Sequence, residues 1–433
     1  MNTKSTTTPT LTKKLRLPFF LVSALFALWG FANAVTDPMV QAFKKVLELS
    51  NSQAAWVQMA FYGGYFCMAL PAALFVRKYS YKHGIILGLA LYGVGALLFY
   101  PAALTEQFWF FCLGLYILTF GLAFLETTAN PYIIAMGDPA TGTRRLNFAQ
   151  AFNPVGLLLG LLVAQQFVLK KLQSDDIVAF DTLDQMQKIA IRTADLLVIR
   201  DPYVILGLVV LGYLVVISLI KMPMRKDTGN LPSFGTTLVN LFQKRFYRMG
   251  VIAQACNVGA QIMCWTYIYQ YAEAQEIESD VAANYQFIAF VLFLLGRAVG
   301  TYFLKDIKAS VMLRNFTLFA ILCTMGTMFF TDQIGLYALV GISFFMSLMF
   351  PTIYGESLKG LNPDDTKIGA AVLVMAIVGG ALMPKLQGDF IDIGGNGVAD
   401  LLWLGIPEVN WSFVLPLLCF FYIWYFAQQL SRK

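Results

Sequence analysis

Two carboxylate residues stand inside long apolar stretches of this 433-residue sequence. Trp29, Asn33 and Asp37 fall at positions i, i+4 and i+8, which form one stripe on a helix face. Glu126 and Asn130 share a face in the same way. An ionisable group at membrane depth costs at least about 2.5 kcal/mol. Since a carboxylate is a costly way to make one hydrogen bond, we predict functional roles for Asp37 and Glu126.

Amide side chains form a second set of polar residues in apolar surroundings. Gln150 and Asn153 are three residues apart and therefore neighbours on a helix. A later stretch carries Gln254, Asn257, Gln261 and Trp265. Such amides can act simply as interhelical contacts worth about 0.6 kcal/mol each, and this alternative remains open for each isolated Asn or Gln.

The residue types favour a neutral, hydroxyl-rich ligand. Amides offer both donors and acceptors, which match the hydroxyls of a polyol, and indole rings suit the apolar C–H face of a sugar ring. No nest of cations or cage of acids accompanies them. The predicted sugar site contains Trp29, Asn33, Glu126, Gln150, Asn153, Asn257, Gln261 and Trp265.

The elements that position these residues are apolar helices. Hydrophobic residues make up 58% of the chain and charged residues 13%, against about 25% charged in soluble proteins. A membrane span needs about 20 mostly apolar residues. We predict an all-α polytopic membrane protein with twelve transmembrane helices at 17–43, 53–76, 83–103, 107–136, 146–169, 202–222, 246–272, 283–304, 311–330, 334–358, 367–388 and 411–429. The first stretch is too long for a signal peptide.

Histidine and cysteine usage excludes several chemistries. One histidine, His83, and six scattered cysteines without a CxxC pair fit neither a His-rich metal site nor a disulfide framework nor a dithiol motif. We therefore predict no catalytic residues, no metal site and no cofactor, with a coupling ion as the only inorganic partner.

Loop charges predict the orientation. Basic residues before the first span, in alternate loops and at the chain end are Lys13, Lys14, Arg16, Arg77, Lys78, Lys82, Arg144, Arg145, Lys221, Arg225, Lys226, Lys244, Arg245, Arg248, Lys305, Lys308, Arg432 and Lys433. The loop with Glu273 and Glu276 is acidic, and the exceptions are Lys44, Lys45 and the mixed 170–201 loop. The positive-inside rule places both termini in the cytoplasm. The net charge of +6 thus has a topological meaning, and no nucleic-acid partner is expected.

Two related halves are predicted. A linker at 223–245, rich in Pro and Gly, separates residues 1–222 from 246–433, six spans each. Asp138-Pro139 is followed by Gly156 at the distance that separates Asn362-Pro363 from Gly380. Two six-helix bundles joined by a basic linker are typical of a secondary transporter rather than an enzyme.

The repeat compares the two halves position by position. When Pro139 is aligned with Pro363, Val374 corresponds to Gln150 and Ile377 corresponds to Asn153. Ion-coupling chemistry is therefore expected in the first half. Arg297 is interpreted as a cytoplasmic-side salt-bridge residue and Lys385 as a snorkelling one. Glu356 lies near a cytoplasmic helix end and has no assigned role.

Between about residues 18 and 428, several sequence segments resemble the fucose–proton symporter family of the major facilitator superfamily. They are Leu28-Trp29 through Asn33 to Asp37-Pro38, Phe61-Tyr62-Gly63-Gly64-Tyr65-Phe66, Leu125-Glu126-Thr127-Thr128-Ala129-Asn130-Pro131, Arg145-Leu146-Asn147-Phe148-Ala149-Gln150-Ala151-Phe152-Asn153, and Gln254, Val258-Gly259-Ala260-Gln261 and Cys264-Trp265. Glucose/galactose transporter branches are similar as well.

The resemblance implies alternating access and uptake of L-fucose or a related hexose such as galactose or glucose, driven by protons. It implies proton coupling at Asp37, and that Glu126, Gln150 and Asn153 line the sugar site. In our mechanistic hypothesis Asp37 is protonated from outside, and the proton leaves by way of Glu126.

Departures keep alternatives open. Ala34 stands where this family has an Asn, and Phe350 stands where a Tyr is expected. Both changes remove groups that bind hydroxyls. The segment 73–78 also lacks the acid that is usual in the superfamily's loop. A sodium-coupled sugar symporter, a multidrug exporter and a non-transporting sugar sensor are the alternatives. We expect a monomer in a lipid bilayer, the inner membrane of a bacterium.

Overall fold

The computed structural model describes residues 13–47, 51–173, 183–222, 233–395 and 397–432. Within these ranges the helices are α1 (Lys13–Val46), α2 (Asn51–Lys78), α3 (Tyr81–Leu97), α4 (Phe99–Thr105), α5 (Phe108–Ala135), α6 (Gly142–Gln150), α7 (Phe152–Val163), α8 (Gln185–Leu219), α9 (Phe234–Gln243), α10 (Arg245–Thr266), α11 (Ile268–Glu273), α12 (Ser279–Phe303), α13 (Ala309–Phe329), α14 (Gln333–Met346), α15 (Met349–Leu358), α16 (Pro363–Met375), α17 (Gly379–Ile391), α18 (Glu408–Ser412) and α19 (Val414–Ser431). Short turns of 3₁₀ or π helix occupy Pro139–Thr141, Ala164–Val168, Leu169–Lys171 and Ala376–Val378. Strands β1 (Leu402–Trp403) and β2 (Ile406–Pro407) form a small antiparallel hairpin.

Eleven stretches of the described residues are long and apolar enough to cross a membrane. The predicted seventh span is the exception, although α10 is 22 residues long and therefore reaches roughly 33 Å, about the thickness of a bilayer core. Its hydropathy is lowered by Arg245, Arg248 and the amides Gln254, Asn257 and Gln261. With this polar helix the spans number twelve, and the predicted all-α fold class is confirmed.

The sixth span is longer than predicted. The sequence suggested a loop over 170–201 and a span over 202–222, whereas α8 already begins at Gln185. The Asp184 carboxylate accepts the Gln185 backbone N–H at 2.8 Å and caps the helix start. Asp195, which is fully buried, accepts a hydrogen bond from the backbone N–H of Gln173. The charges that suggested a loop are therefore accommodated inside a helix.

Close backbone contact joins the first and fifth spans. A Cβ added at Gly156 would clash with the carbonyl oxygen of Ala27, and one at Gly30 would clash with that of Asn153. The seventh and eleventh spans repeat the arrangement, since a Cβ at Gly379 would clash with the Ala255 carbonyl. Small residues at helix crossings allow such approach in membrane proteins.

Both the fifth and the eleventh span are interrupted, at matching places. The fifth span breaks at Ala151, between α6 and α7, and the eleventh passes through a 3₁₀ turn at Ala376–Val378. Pro139 and Pro363 begin the two spans alike, each at the first turn after an Asp or Asn cap. Discontinuous helices at corresponding positions of two repeats point to a binding site in transporters.

The outer surface of the spans is apolar. Leu219, Met186 and Tyr302 expose 80%, 79% and 70% of their surface. Large exposed apolar side chains on helices of this length indicate contact with lipid. The chain is a multi-pass membrane protein.

Candidate functional site

A cavity of about 120 Å³ lies between the interrupted fifth and eleventh spans. Its walls include Phe26, Trp29, Asn33, Ala34, Phe61, Tyr62, Tyr65, Glu126, Gln150, Asn153, Val258, Gln261, Ile262, Trp265, Phe290, Phe293, Arg297, Phe350 and Ile377. Seven of the eight residues predicted for a sugar site are among them. The cavity therefore brings together side chains from both halves of the chain.

Of the predicted sugar-site residues, Asn257 is the one that does not line this cavity. Asn257 is 1% exposed and is packed into the bundle beside the part of α10 that lines the cavity through Val258, Gln261 and Trp265. Its amide nitrogen and oxygen have no hydrogen-bond partner among the described residues. Asp37 belongs to α1, and its side chain lies outside the described part of the chain. Its predicted role in coupling stays a prediction.

Glu126 is the carboxylate on the cavity wall. It is carried by α5, and its Oε2 atom is buried without a hydrogen-bond partner among the described residues. No described cation forms an ion pair with it. A buried carboxyl oxygen without a partner is costly. The group is therefore available to a proton or to a ligand hydroxyl.

The amides present free acceptors to the cavity. Gln150 donates its Nε2–H to Asn130 Oδ1 at 2.9 Å, and Asn153 donates its Nδ2–H to the Phe26 carbonyl at 3.3 Å. Their side-chain oxygens accept no bond from the described residues. Asn33 and Gln261 form no side-chain hydrogen bonds within the same part of the chain. Together they offer donors and acceptors to a polar ligand.

The two tryptophans supply ring surface rather than donors. The Trp29 indole N–H donates to the Tyr65 hydroxyl at 3.1 Å, and its ring stacks on Phe26 with centroids 5.1 Å apart. The Trp265 indole N–H donates to Ser343 Oγ at 3.2 Å, and its ring meets Phe293 edge-on. Since both N–H groups are occupied, these residues shape the apolar wall.

Arg297 is a cavity residue, contrary to the prediction from the sequence. A cytoplasmic-side salt bridge was expected, but this side chain is 2% exposed and lines the cavity. Its Nε–H donates to the Ser347 carbonyl at 2.6 Å, and its Nη1–H donates to the Gln150 carbonyl at 2.8 Å. Its guanidinium also lies 4.7 Å from the Phe293 ring centroid. No carboxylate of the described residues pairs with it.

Arg297 is held in this position by backbone carbonyls at the ends of two helices. Ser347 and Gln150 sit where α14 and α6 stop, and carbonyls at helix ends lack intrahelical donors. A guanidinium with five N–H groups satisfies such acceptors. The signal in the sequence that could have found this site was a cation inside a predicted span.

The residues that depart from the fucose-symporter pattern also face the cavity. Ala34 and Phe350 both line it. Ile377, which the repeat placed opposite Asn153, is on the wall, whereas Val374 is fully buried. The wall from the second half is thus more apolar than the wall from the first.

One end of the molecule is closed beneath the cavity. Thr143 donates its hydroxyl hydrogen to Glu356 Oε1 at 2.9 Å, and Asn147 Nδ2–H donates to Thr352 Oγ1 at 3.2 Å. A Cβ added at Gly355 would lie 2.7 Å from the Thr143 hydroxyl oxygen. These contacts hold α6 against α15 at that end.

Two other charged residues, Glu356 and Lys385, do not line this cavity and form ion pairs elsewhere. Glu356, besides its bond to Thr143, forms an ion pair with Lys359 at 3.3 Å. Lys385 is 74% exposed and pairs with Asp389 at 3.0 Å, as expected for a side chain that reaches water. Among the described residues, no group of three or more His, Cys, Asp or Glu side chains is arranged to hold a metal ion.

Comparison with known proteins matches this picture. The sequence profile of the Major Facilitator Superfamily matches residues 19–384. The L-fucose-proton symporter of Haemophilus influenzae is 55% identical over 417 residues, which cover 95% of each chain. The L-fucose-proton symporter of Escherichia coli is 36% identical over 424 residues, covering 96% of this chain and 93% of that protein. The glucose/galactose transporter of Brucella abortus is 28% identical, with 95% and 93% covered.

A solved structure has the same fold. The Major Facilitator Superfamily transporter FucP, crystallised in the outward conformation, matches with a TM-score of 0.84 and 34% identity, over 96% of this chain and 99% of that one. The resemblance read from the residue strings is confirmed.

Proposed function

The chain belongs to the Major Facilitator Superfamily, and we propose that it imports a neutral monosaccharide together with a proton. The observation that carries this proposal is the composition of one cavity. It joins Glu126, which lacks a partner, to amides with free acceptors and to tryptophan rings. The names of the similar proteins, L-fucose-proton symporters, support the same ligand class.

L-Fucose is the first candidate and related hexoses follow. The free acceptors of Gln150 and Asn153 suit sugar hydroxyls, and the Trp29 and Trp265 rings suit the apolar ring face. Ala34 and Phe350 remove two polar groups from the wall. Galactose and glucose therefore remain candidate substrates.

The cavity must widen during transport. Its 120 Å³ is below the range of about 300–1,000 Å³ that is usual for ligand pockets. Alternating access supplies the widening, because the halves 1–222 and 246–433 rock about the cavity. In this scheme the contacts between Thr143 and Glu356 and between Asn147 and Thr352 break when the cavity opens inward.

The coupling mechanism uses carboxyl groups. Asp37 takes a proton from the outside, the sugar binds against Glu126, Gln150, Asn153 and Gln261, and the halves then change position. The proton leaves to the cytoplasm by way of Glu126. Proton coupling is favoured over sodium because the two L-fucose symporters to which the chain is similar are named as proton symporters. The transporter acts as a monomer in a bacterial inner membrane, with both termini cytoplasmic.

The test is sugar-induced proton movement in sodium-free proteoliposomes. L-Fucose, D-galactose, D-glucose, D-mannose and N-acetylglucosamine are added in turn while external pH is recorded. Alkalinisation with one of them supports the proposal and names the sugar. A response that requires sodium contradicts proton coupling but keeps the sugar. Silence with every sugar and both ions contradicts the ligand class and favours an exporter, and binding without flux favours a sensor.

A further inference from the structure

A second and larger cavity opens where the spans end, on the side that is closed beneath the first one. Its volume is about 910 Å³. Four segments supply most of its walls: the start of α6, residues 244–247, the turn at 304–310 and the turn at 356–361. None of its lining residues also lines the sugar cavity.

This cavity is strongly cationic. Its basic residues are Arg144, Lys244, Arg245, Lys305, Lys308 and Lys359, against the acids Asp306 and Glu356. Lys244 pairs with Asp365, and Lys359 pairs with Glu356. The other four cations have no ion-pair partner among the described residues. A concave surface with unpaired cations concentrates anions.

The start of α13 adds neutral donors to the same wall. Ala309 and Ser310 form its first turn and line the cavity. The first backbone N–H groups of a helix have no intrahelical acceptor, and they favour negative charge. Ser310 is only 8% exposed, and its hydroxyl has no hydrogen-bond partner among the described residues. A hydroxyl that stands on the wall of the cavity without a protein partner is available to donate to a ligand there.

We propose that this cavity binds a phosphate group, carried either by an anionic phospholipid or by free phosphate. A phosphate has acceptor oxygens for N–H and O–H donors and a charge that the cations offset. Basic pockets between transmembrane helices at the cytoplasmic surface suit lipid headgroups. A phosphate oxygen accepts from Ser310 and the first turn of α13, and the charges of Lys305 and Lys308 face it.

Binding at this place joins the two halves of the chain. Arg144 belongs to the fifth span, whereas Lys305 and Lys308 belong to the second half and Arg245 stands where the linker meets it. Arg144 is also the neighbour of Thr143, which contacts Glu356. A phosphate held by both sets of cations stabilises the closed inner face.

Calorimetric titration of the full-length protein in a neutral detergent tests the site. The titrants are dihexanoyl phosphatidylglycerol, dihexanoyl phosphatidylcholine and inorganic phosphate, at one ionic strength. The Lys305→Gln/Lys308→Gln variant should weaken binding of the phosphatidylglycerol at least about fivefold, and Ser310→Ala should weaken it further. The matched control is Lys78→Gln/Arg248→Gln, which removes two exposed charges outside this cavity and should change the Kd less than about twofold.

The titrants separate the two sources of phosphate. Tight binding of phosphatidylglycerol alone, with this variant pattern, identifies a lipid, and the same pattern with inorganic phosphate identifies the free anion. Either supports the site. The proposal is overturned if neither titrant binds saturably to the wild type. It is also overturned if the control variant weakens binding as much as Lys305→Gln/Lys308→Gln, since diffuse surface charge then explains the result. These outcomes do not depend on whether the protein transports a sugar.

Discussion

At the scale of single residues, the cavity holds two charged side chains, neither of which has an ion-pair partner among the described residues. Glu126 has a carboxyl oxygen without a donor, and Arg297 binds helix-end carbonyls instead of an acid. Helix periodicity alone is enough to put Trp29, Asn33 and Asp37 on one stripe. It does not reveal the place of Arg297, because the carbonyls that this side chain binds come from two helix breaks that are distant in the sequence.

Asp37→Asn should separate sugar movement from proton movement. A neutral amide at this position cannot release a proton, so uptake against a gradient should stop. Exchange of labelled for unlabelled sugar should continue, because the amides on the cavity wall are intact. Both are measured in proteoliposomes with and without a pH gradient. A variant that still concentrates sugar would remove Asp37 from the coupling mechanism.

Glu126→Gln should affect both activities, because Glu126 lines the cavity. The amide keeps the shape but loses the titratable oxygen, so pH-driven uptake should fall at least about tenfold, and sugar affinity should change as well. Initial rates of uptake and the concentration dependence of exchange measure the two effects. Gln166→Glu, at an exposed helical position, serves as a charge control and should leave both unchanged. Full pH-driven uptake by Glu126→Gln would contradict a role in proton release.

Arg297→Gln should destabilise the fold and weaken sugar binding. Each hydrogen bond from a charged group contributes about 1.5–3 kcal/mol, and two backbone carbonyls would lose their donor. Arg297→Lys should recover only part of the loss, since an ammonium does not reproduce the planar fork. Thermal unfolding in detergent and sugar exchange measure the effects. Arg314→Gln is the control, because that side chain bonds only its neighbour Asn315, and an equal loss there would refute the argument.

At the scale of elements, the apolar pattern gives the number of spans but not all their ends. The first part of the helix over Gln185–Leu219 resembles a loop in sequence because it contains Lys188, Arg192 and Asp195. Arg192 donates to the Val46 carbonyl at 3.2 Å, and Asp195 accepts from Gln173. These partners are supplied by other segments, so local sequence cannot anticipate them. Gly156, in contrast, stands out in the sequence as the counterpart of Gly380 in the repeat, although its contact with Ala27 is known only from the structure.

Gly156→Ala should strongly destabilise that crossing. A methyl group there would clash with the backbone carbonyl of Ala27, and backbone cannot move aside as a side chain can. Overpacking typically costs about 1–3 kcal/mol. Gly212→Ala is the matched control, because a Cβ there meets nothing within 4 Å. Monodisperse yield and Tm in detergent measure both variants, and equal Tm values would show that the spans are not in close contact.

At the scale of the whole molecule, alternating access requires that the two halves separate at the end where α6 meets α15. Hydrogen bonds join them there from Thr143 to Glu356 and from Asn147 to Thr352. The sequence repeat pairs the halves through Pro139 and Pro363, which begin the two interrupted spans. It does not reveal these bonds, because a repeat describes each half and contains no information on their contact.

Thr143→Val/Thr352→Val should shift the molecule toward an inward-open state. Both replacements keep the shape and remove the hydroxyls that link α6 to α15. Two such bonds contribute about 2 kcal/mol, which corresponds to a roughly thirtyfold change in the ratio of closed to open molecules. Spin labels at Lys78 and Asn315, in a variant without native cysteines, report the separation. The long-distance population should grow.

The matched control for that variant is Thr317→Val/Thr324→Val. Thr317 and Thr324 are fully buried, and they donate only to the carbonyls of Leu313 and Ala320 within their own helix. Losing these hydroxyls removes the same chemistry without touching the contact between halves, so the distance distribution should match the wild type. An identical shift in both variants would mean that hydroxyl loss loosens the bundle generally. A shift confined to Thr143→Val/Thr352→Val would mean that these two bonds contribute to the balance between the states, because the control loses the same hydroxyls without touching the contact between the halves.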